Sequence, residues 1–264
     1  MCLIAVAWQV HPDYPLVMVS NRDEFLQRPT AKADHWEDHP NIFAGRDLSA
    51  GGTWLGLATP RSETGTLGRM AAVTNVRNPA AQQDGLRSRG DLVKEFLTGD
   101  NTVADHLDSV RQQQREFNGF NLLVCDGDQL GFYSNGSDHL EILSPGIYGI
   151  SNADLDTPWP KVVNAKNQLQ AFLKGPIATQ TLASLLHEKS LASDDALPST
   201  GISLDWERAL SAQFIEMDNY GTRCTTAITV ANNGVAEFVE LTVDETPFAN
   251  SQVRFDQFWT NSNQ

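Results

Sequence analysis

The sequence predicts an α+β domain in which antiparallel sheets are covered by helices. Apolar runs occur in closely spaced pairs joined by turn residues, and segments with helical periodicity separate these pairs. A parallel sheet would instead require a long crossover, usually a helix, between each strand and the next. The grouping of strands into hairpins therefore favours a layered α+β arrangement over a doubly wound one.

Two strand pairs are predicted in the first part of the chain. Residues 2–10 and 16–20 are rich in Val, Leu and Ile, and the segment between them contains Asp and two Pro, which favour a turn. The Gly-rich segment 51–57 and the apolar run 70–74 predict a second pair, which ends at Asn75.

Helices and further strands follow. Apolar residues recur every three or four positions in residues 88–97 and 102–117, which predicts two helices. The later predicted strands are 120–125, 130–133, 140–143, 147–150, 225–230 and 235–243, and the later predicted helices are 159–173, 179–187 and 204–214. Because no linker, repeat or low-complexity stretch divides the chain, we expect a single domain over residues 1–264.

The charge of the chain excludes one class of partner. The sequence has 19 Lys plus Arg against 33 Asp plus Glu, a formal net charge of -14, and its 41% hydrophobic content is sufficient for an ordinary core. Such a chain repels nucleic-acid phosphates and anionic membrane surfaces. We therefore expect no nucleic-acid partner.

Cysteine usage and the first apolar run predict a cytoplasmic protein. Cys2, Cys125 and Cys224 are too few and too scattered for a disulfide framework, and no Cys or His pair has zinc-ligand spacing. Residues 3–10 lack a basic leader and are far shorter than a membrane span. We expect a buried strand there, no integral membrane segment and no metal site.

The second residue is the first candidate for chemistry. If Met1 is removed, the Cys2 thiol and a free α-amine belong to the same residue, so the nucleophile carries its own base. The amine titrates near about pH 8 and the thiol near about pH 8.5, close to working pH. Cys2 alone is equally an ordinary small strand residue, so this prediction depends on its neighbours.

The segment Asn21-Arg22-Asp23-Glu24 ends the strand that should pair with the strand of Cys2. In a hairpin, the two-residue periodicity places Cys2 and Arg22 across neighbouring strands. A guanidinium at that position would favour the thiolate, and a carboxylate would hold the α-amine. The alternative is a solvent-exposed charged turn.

Two asparagines and a late arginine are further candidates. Asn75 and Asn152 each follow an apolar strand, where an amide group could donate a hydrogen bond to an oxyanion. Arg223 opens a late strand. Each residue also has an ordinary explanation, since Asn often forms turns and Arg is usually exposed.

Taken together, these segments resemble the NRDE family, also called the transport and Golgi organisation protein 2 family. The segments that carry the resemblance are Met1-Cys2, Asn21-Arg22-Asp23-Glu24, Gly51-Gly52-Thr53-Trp54-Leu55-Gly56, Ala71-Ala72-Val73-Thr74-Asn75-Val76-Arg77, Ser88-Arg89-Gly90, Phe117-Asn118-Gly119-Phe120-Asn121 and Gly221-Thr222-Arg223. They occur along the whole chain, so the resemblance is specific.

The resemblance implies the N-terminal-nucleophile hydrolase fold, a four-layer αββα sandwich, with distant similarity to cysteine amidases such as penicillin V acylase and bile salt hydrolase. By that resemblance Cys2 matches the nucleophile, Arg22 the arginine beside it, Asn75 and Asn152 the asparagines of the oxyanion and amine-holding sites, and Arg223 the late arginine. The amidases place their Asp three residues after the Arg, whereas here the acids follow immediately. Either Asp23 or Glu24 would therefore hold the α-amine.

Three hypotheses follow for function. The first is a hydrolase or acyltransferase that acts on a small-molecule acyl substrate, an amide or acyl thioester, through a thioester on Cys2 and without a metal or organic cofactor. The second is a non-catalytic haem or lipid trafficking protein on the same scaffold, although none of the six histidines lies in a Cys-x-x-Cys-His motif. The third is a structural partner protein with an exposed apolar patch.

Overall fold

Two antiparallel sheets form the centre of the structure, a computed structural model that describes residues 2–61, 67–243 and 249–259. The strands are β1 (Cys2–Trp8), β2 (Leu16–Phe25), β3 (Thr30–His35), β4 (Ile42–Asp47), β5 (Leu55–Ala58), β6 (Arg69–Asn75), β7 (Phe120–Cys125), β8 (Leu130–Ser134), β9 (His139–Ile142), β10 (Gly146–Ile150), β11 (Tyr220–Val230), β12 (Ala236–Thr242) and β13 (Ala249–Phe255). The helices are α1 (Arg89–Thr98), α2 (Val103–Gln112), α3 (Pro160–Phe172), α4 (Thr179–Leu182) and α5 (Leu204–Ala209).

The strand order separates the two sheets. The first sheet has the order β10-β1-β2-β11-β12-β13, and the second has the order β3-β4-β5-β6-β7-β8-β9. Neighbouring strands in both sheets pair antiparallel. The predicted hairpins β1–β2 and β5–β6 are confirmed.

The buried apolar side chains define four layers. One core cluster lies between the two sheets, a second lies between the second sheet and α1 with α2, and a third lies between the first sheet and α3 with α4. Strand β1 shows the alternation that builds them, because Leu3, Ala5 and Ala7 face the helices whereas Ile4, Val6 and Trp8 face the other sheet. The predicted α+β class and its four-layer αββα arrangement are confirmed.

Strand β2 is longer than the sequence pattern indicated. The apolar run ends near Ser20, but the strand continues to Phe25 because β11 pairs along its whole length, from Val230 opposite Leu16 to Tyr220 opposite Phe25. The pairing satisfies the backbone polar groups of a charged segment that sequence periodicity alone assigns to a turn. Residues 21–24 therefore lie inside a sheet.

Other elements differ from the predictions in length or existence. Strands β3, β4 and β13 were not predicted. Strand β3 is a polar strand at the edge of its sheet, and its position is fixed by pairing with β4 rather than by an apolar pattern of its own. Helices α4 and α5 end at Leu182 and Ala209, earlier than predicted, although Leu186 and Ile215 beyond them are buried. The loops after these helices also pack on the core, so apolar residues continue past the helix ends and the pattern predicts helices that are too long. Within the described ranges, every helix is too short or too polar to cross a membrane.

Candidate functional site

A cleft opens where β1 begins and β2 ends, and we call it the Cys2 cleft. Its volume is about 330 Å³, and its lining comes from both sheets and from the start of α1. The lining residues are Cys2, Arg22, Asp23, Glu24, Arg28, Asp47, Ala50, Thr53, Trp54, Val73, Asn75, Leu86, Arg87, Ser88, Arg89, Gly90 and Asn118. Four of the six predicted site residues are therefore brought together, namely Cys2, Arg22, Asp23 and Asn75.

Cys2 and Arg22 are direct cross-strand partners in the β1–β2 pair. Arg22 is 4% exposed, its guanidinium carbon lies 4.1 Å from the centroid of the Trp54 ring, and its Nη1 donates to Thr30 Oγ1 at 3.1 Å. The stacking and the hydrogen bond hold the cation beside the thiol without an ion pair to a carboxylate among the described residues.

The Cys2 thiol is buried at the floor of the cleft, and its surroundings act on it in opposite directions. Burial raises the pKa of the Cys2 thiol, and the charge of Asp23 adds to this effect. The Arg22 charge and the backbone N–H of Asp23 lower that pKa. The Arg22 charge favours the thiolate, but burial outweighs it.

Asp23 is the buried carboxylate of the segment. It is 1% exposed, its Oδ1 accepts from Thr222 Oγ1 at 2.7 Å, and its backbone carbonyl accepts from Tyr220 Oη at 2.9 Å. Burial raises the pKa of Asp23, and the Lys161 charge is the strongest opposing influence. Glu24, in contrast, is half-buried, and its Oε1 accepts from the Phe25 N–H at 2.9 Å.

Asn75 and Asn152 have different surroundings. Asn75 ends β6 and lines the Cys2 cleft. Asn152 lies behind it, 1% exposed, and its Nδ2 donates to the Asn75 carbonyl at 2.9 Å. Ser151 Oγ donates to the Cys2 carbonyl at 3.1 Å, so the 151–152 pair connects the first residues of β1 with the end of β6. Asn152 is outside the lining of the cleft.

Arg223 lies away from the Cys2 cleft. It is the extra residue of a bulge, because β11 shifts register between Thr222 and Cys224 opposite β2. Its Nη1 donates to the carbonyls of Phe25 and Arg28 at 3.0 and 3.1 Å. Arg223 thereby fixes the turn after β2, which carries Arg28 of the cleft lining.

A buried charged network behind the cleft was not found by sequence reasoning. Arg77 and Glu207 form an ion pair of 2.7 Å with side chains 5% and 4% exposed. Lys161, in the first turn of α3, is 3% exposed. The only sequence signals were the inclusion of Arg77 in a family segment and the Pro160 that begins the helix.

The other two cysteines differ from Cys2 in position. Cys125 is fully buried in β7 and Cys224 is 4% exposed in β11, and neither lines the Cys2 cleft. Burial raises the pKa of both thiols. In the part of the chain that the structure describes, no group of three His, Cys, Asp or Glu side chains could hold a metal ion.

These observations define a class: a two-sheet α+β sandwich with a cysteine at the start of its first strand and an arginine opposite it. Comparison with known sequences identifies the family within this class, since the Transport and Golgi organisation 2 family matches residues 1–245. The chain therefore belongs to this family, which confirms the predicted resemblance.

Three animal proteins show the extent of the similarity. The Transport and Golgi organization 2 homolog of Mus musculus is 35% identical over 262 residues, which cover 91% of this chain and 92% of the mouse protein. The Homo sapiens homolog is 32% identical over 286 residues, with 99% and 100% coverage. The Drosophila melanogaster protein is 24% identical over 268 residues, with 92% of each chain covered. The similarity thus spans whole chains.

Proposed function

We propose that this protein is a cytoplasmic hydrolase or acyltransferase that uses Cys2 as its nucleophile on a small amide or acyl thioester. The observation that carries the proposal is the placement of Cys2 at the floor of the cleft, directly opposite Arg22 on β2. A thiol beside a fixed cation at a cleft floor is the arrangement that nucleophilic catalysis requires.

The proposed chemistry begins after removal of Met1, which lies outside the described residues. The Cys2 thiol transfers its proton to its own α-amine, and Sγ bonds to the carbonyl carbon while the carbonyl electron pair moves to oxygen. Collapse of this intermediate breaks the C–N or C–S bond, and the leaving group takes the proton from the ammonium. A thioester on Cys2 remains.

The second half restores the enzyme. Water or an acceptor amine adds to the thioester carbon and gives its proton to the Cys2 α-amine. The C–S bond then breaks, and the thiolate recovers that proton as the acyl product leaves. No group beyond the chain and its substrates is required to balance these steps.

Two neighbouring side chains have roles in this proposal. Asp23, rather than Glu24, holds the α-amine, because Asp23 is buried beside Cys2 whereas Glu24 is half-buried at the cleft. The Asn75 side-chain amide donates a hydrogen bond to the developing oxyanion. Asn152 keeps Asn75 in place, because Asn152 Nδ2 donates to the Asn75 backbone carbonyl.

The polarity of the cleft favours this function over haem or lipid trafficking. Its described lining contains arginines and carboxylates from several elements, but no histidine that could serve as an axial haem ligand. Charged walls also disfavour a long acyl chain, because an apolar chain would displace the water bound to the charged groups without replacing its hydrogen bonds. The lining suits a polar, small-molecule acyl compound.

The test is a screen of acyl amides and acyl thioesters with protein whose intact mass shows Cys2 as the first residue. Acyl transfer is expected with wild type and with Cys125→Ser, which removes a buried thiol outside the cleft. Cys2→Ser should lose the activity and the thioester adduct in the mass spectrum. A haem absorbance spectrum with no acyl turnover, or a chain that retains Met1 in its native host, would reject the proposal.

A further inference from the structure

Lys161 is a lysine buried behind the Cys2 site. It is 3% exposed, and its Nζ is buried with no hydrogen-bond partner among the described residues. It belongs to the first turn of α3, whose side chains Val162, Ala165 and Leu169 pack on the helix-facing side of β1. The lysine therefore approaches the site from the face of the first sheet opposite to the cleft.

Several physical effects oppose a cation at this position. An ammonium taken out of water loses its hydration, and here no acceptor replaces the lost hydrogen bonds. The first turn of a helix carries partial positive charge, which disfavours a lysine. Arg77 places a second cation nearby. A side chain held against these effects indicates a role other than packing.

The surrounding carboxylates supply the compensation. Asp23 alternates with Arg22 along β2, so it faces the helices together with Asn21, whose Nδ2 donates to the Gln213 carbonyl at 2.8 Å. Gln213 Nε2 in turn donates to the Lys161 carbonyl at 3.4 Å, which places Asp23 and Lys161 on the same side of the sheet. The charges of Asp23, Cys2 and Glu207 favour the ammonium form of Lys161. Burial lowers the pKa of Lys161 to about 8, so the amine carries its charge at neutral pH. The interaction is reciprocal, because Lys161 is the largest influence holding down the pKa of Asp23, ahead of Thr222 and Arg77.

We propose that Lys161 is a positioning residue that keeps the Asp23 carboxylate ionised from the helix side of the sheet. Asp23 is itself buried, and a buried carboxyl without a nearby cation takes up a proton near neutral pH. A protonated Asp23 would no longer attract the Cys2 ammonium. The consequence for catalysis rests on the proposed function, whereas the control of Asp23 by Lys161 does not.

The first test measures the Asp23 pKa directly, from the pH dependence of its carboxyl carbon resonance in protein labelled with ¹³C-aspartate. Asp23→Asn assigns the signal by its loss. Lys161→Met should raise the Asp23 pKa by about one unit or more, as removal of a close cation does. Lys161→Arg should leave it near the wild-type value. Lys166→Met is the matched control, since Lys166 lies on the same helix and pairs with Asp156 at the surface at 2.7 Å.

A second measurement does not depend on the folding of Lys161→Met. In wild type, deprotonation of Lys161 should produce a second, smaller inflection of the Asp23 resonance near about pH 8, and Lys161→Arg should lack it because arginine stays charged. An Asp23 titration identical in all variants would overturn the proposal, whether or not the protein transfers acyl groups. If acyl transfer is found, the acid limb of its pH profile should shift with the Asp23 pKa.

Discussion

Arg22 lies between two cysteines, as the cross-strand partner of Cys2 on one side and of Cys224 on the other. Because directly opposed residues share a face of the sheet, one guanidinium borders both thiols. Only Cys2 lines the cleft, so the same cation acts on one thiol at the cleft and on one thiol outside the cleft lining.

Substitution of Arg22 should change the reactivity of Cys2. Arg22→Ala removes the neighbouring positive charge, so the apparent pKa for Cys2 alkylation should rise by about half a unit or more. The measurement is the iodoacetamide rate against pH, with the labelled peptide identified by mass spectrometry. Arg254→Ala, at an exposed ion pair on β13, is the control and should leave the midpoint unchanged. An unchanged midpoint in folded Arg22→Ala would show that the Arg22 charge does not influence the Cys2 thiol.

The three thiols should differ in labelling rate. Burial raises the pKa values of all three thiols, but only Cys2 lines the open cleft, where an electrophile can reach it. An electrophilic acyl analogue should therefore modify Cys2 at least about tenfold faster than the other two in folded protein. Peptide mapping over time gives the three rates. Equal labelling would favour a binding protein over an enzyme.

The Asn75 amide should matter for acyl transfer but not for alkylation. An oxyanion develops only when the thiol attacks a carbonyl, so Asn75→Ala should slow acylation of Cys2 by about a hundredfold. Its iodoacetamide rate should match wild type. Asn118→Ala is the matched control, because Asn118 also lines the cleft while its side chain bonds the Gln83 backbone. Parallel loss of both reactions in Asn75→Ala would indicate a structural effect instead.

Removing one partner of the Arg77–Glu207 ion pair should strongly destabilise the fold. Arg77→Met leaves the buried Glu207 carboxylate, which accepts from the Thr200 N–H and hydroxyl, without its cation. We expect a loss of about 3–5 kcal/mol in the free energy of unfolding, measured by chemical denaturation. The double variant Arg77→Met/Glu207→Leu should recover much of that loss. A double variant as unstable as the sum of the two single variants would show that the two side chains are not energetically coupled, and it would contradict the prediction.

His106 should make the protein sensitive to acid. Its ring packs on Phe96, and burial lowers its pKa to about 4, with the Arg69 charge acting in the same direction. In the unfolded chain the histidine has a pKa of about 6.5, so burial of the neutral ring makes its full contribution to the free energy of unfolding above about pH 6.5. The contribution is lost as pH falls from about 6.5 to about 4.

The expected size of this effect is about 3 kcal/mol, from a pKa difference of roughly two and a half units. Urea unfolding at several pH values should show the acid-dependent loss in wild type. His106→Leu should show a flatter profile over the same interval, and His11→Leu, which removes a half-buried ring between β1 and β2, is the control for loss of a histidine. Equal slopes in wild type and His106→Leu would contradict the assignment.

The sequence by itself determined the layered class, the first hairpin and the meeting of Cys2 with Arg22. The hairpin and the pairing depend on two-residue alternation and a short turn within the first twenty-five residues, whereas the class follows from the order of strand pairs and helices along the chain. Local pattern also marked the helical stretches that begin α1, α2 and α3. The apolar pattern did not define the ends of α4 and α5, since residues beyond those helices, such as Leu186, are buried in the same core.

Only the tertiary structure decided what lies behind the hairpin. Thr222 meets Asp23 because β11 pairs with β2, and Lys161 and Glu207 reach the same region because α3 and α5 pack there. Arg223 turns away because a bulge in β11 shifts its register. Each of these contacts joins residues more than a hundred positions apart, and no local periodicity encodes which distant segment will satisfy a buried charge. That choice follows from the order of strands in the sheet and from the packing of helices on it.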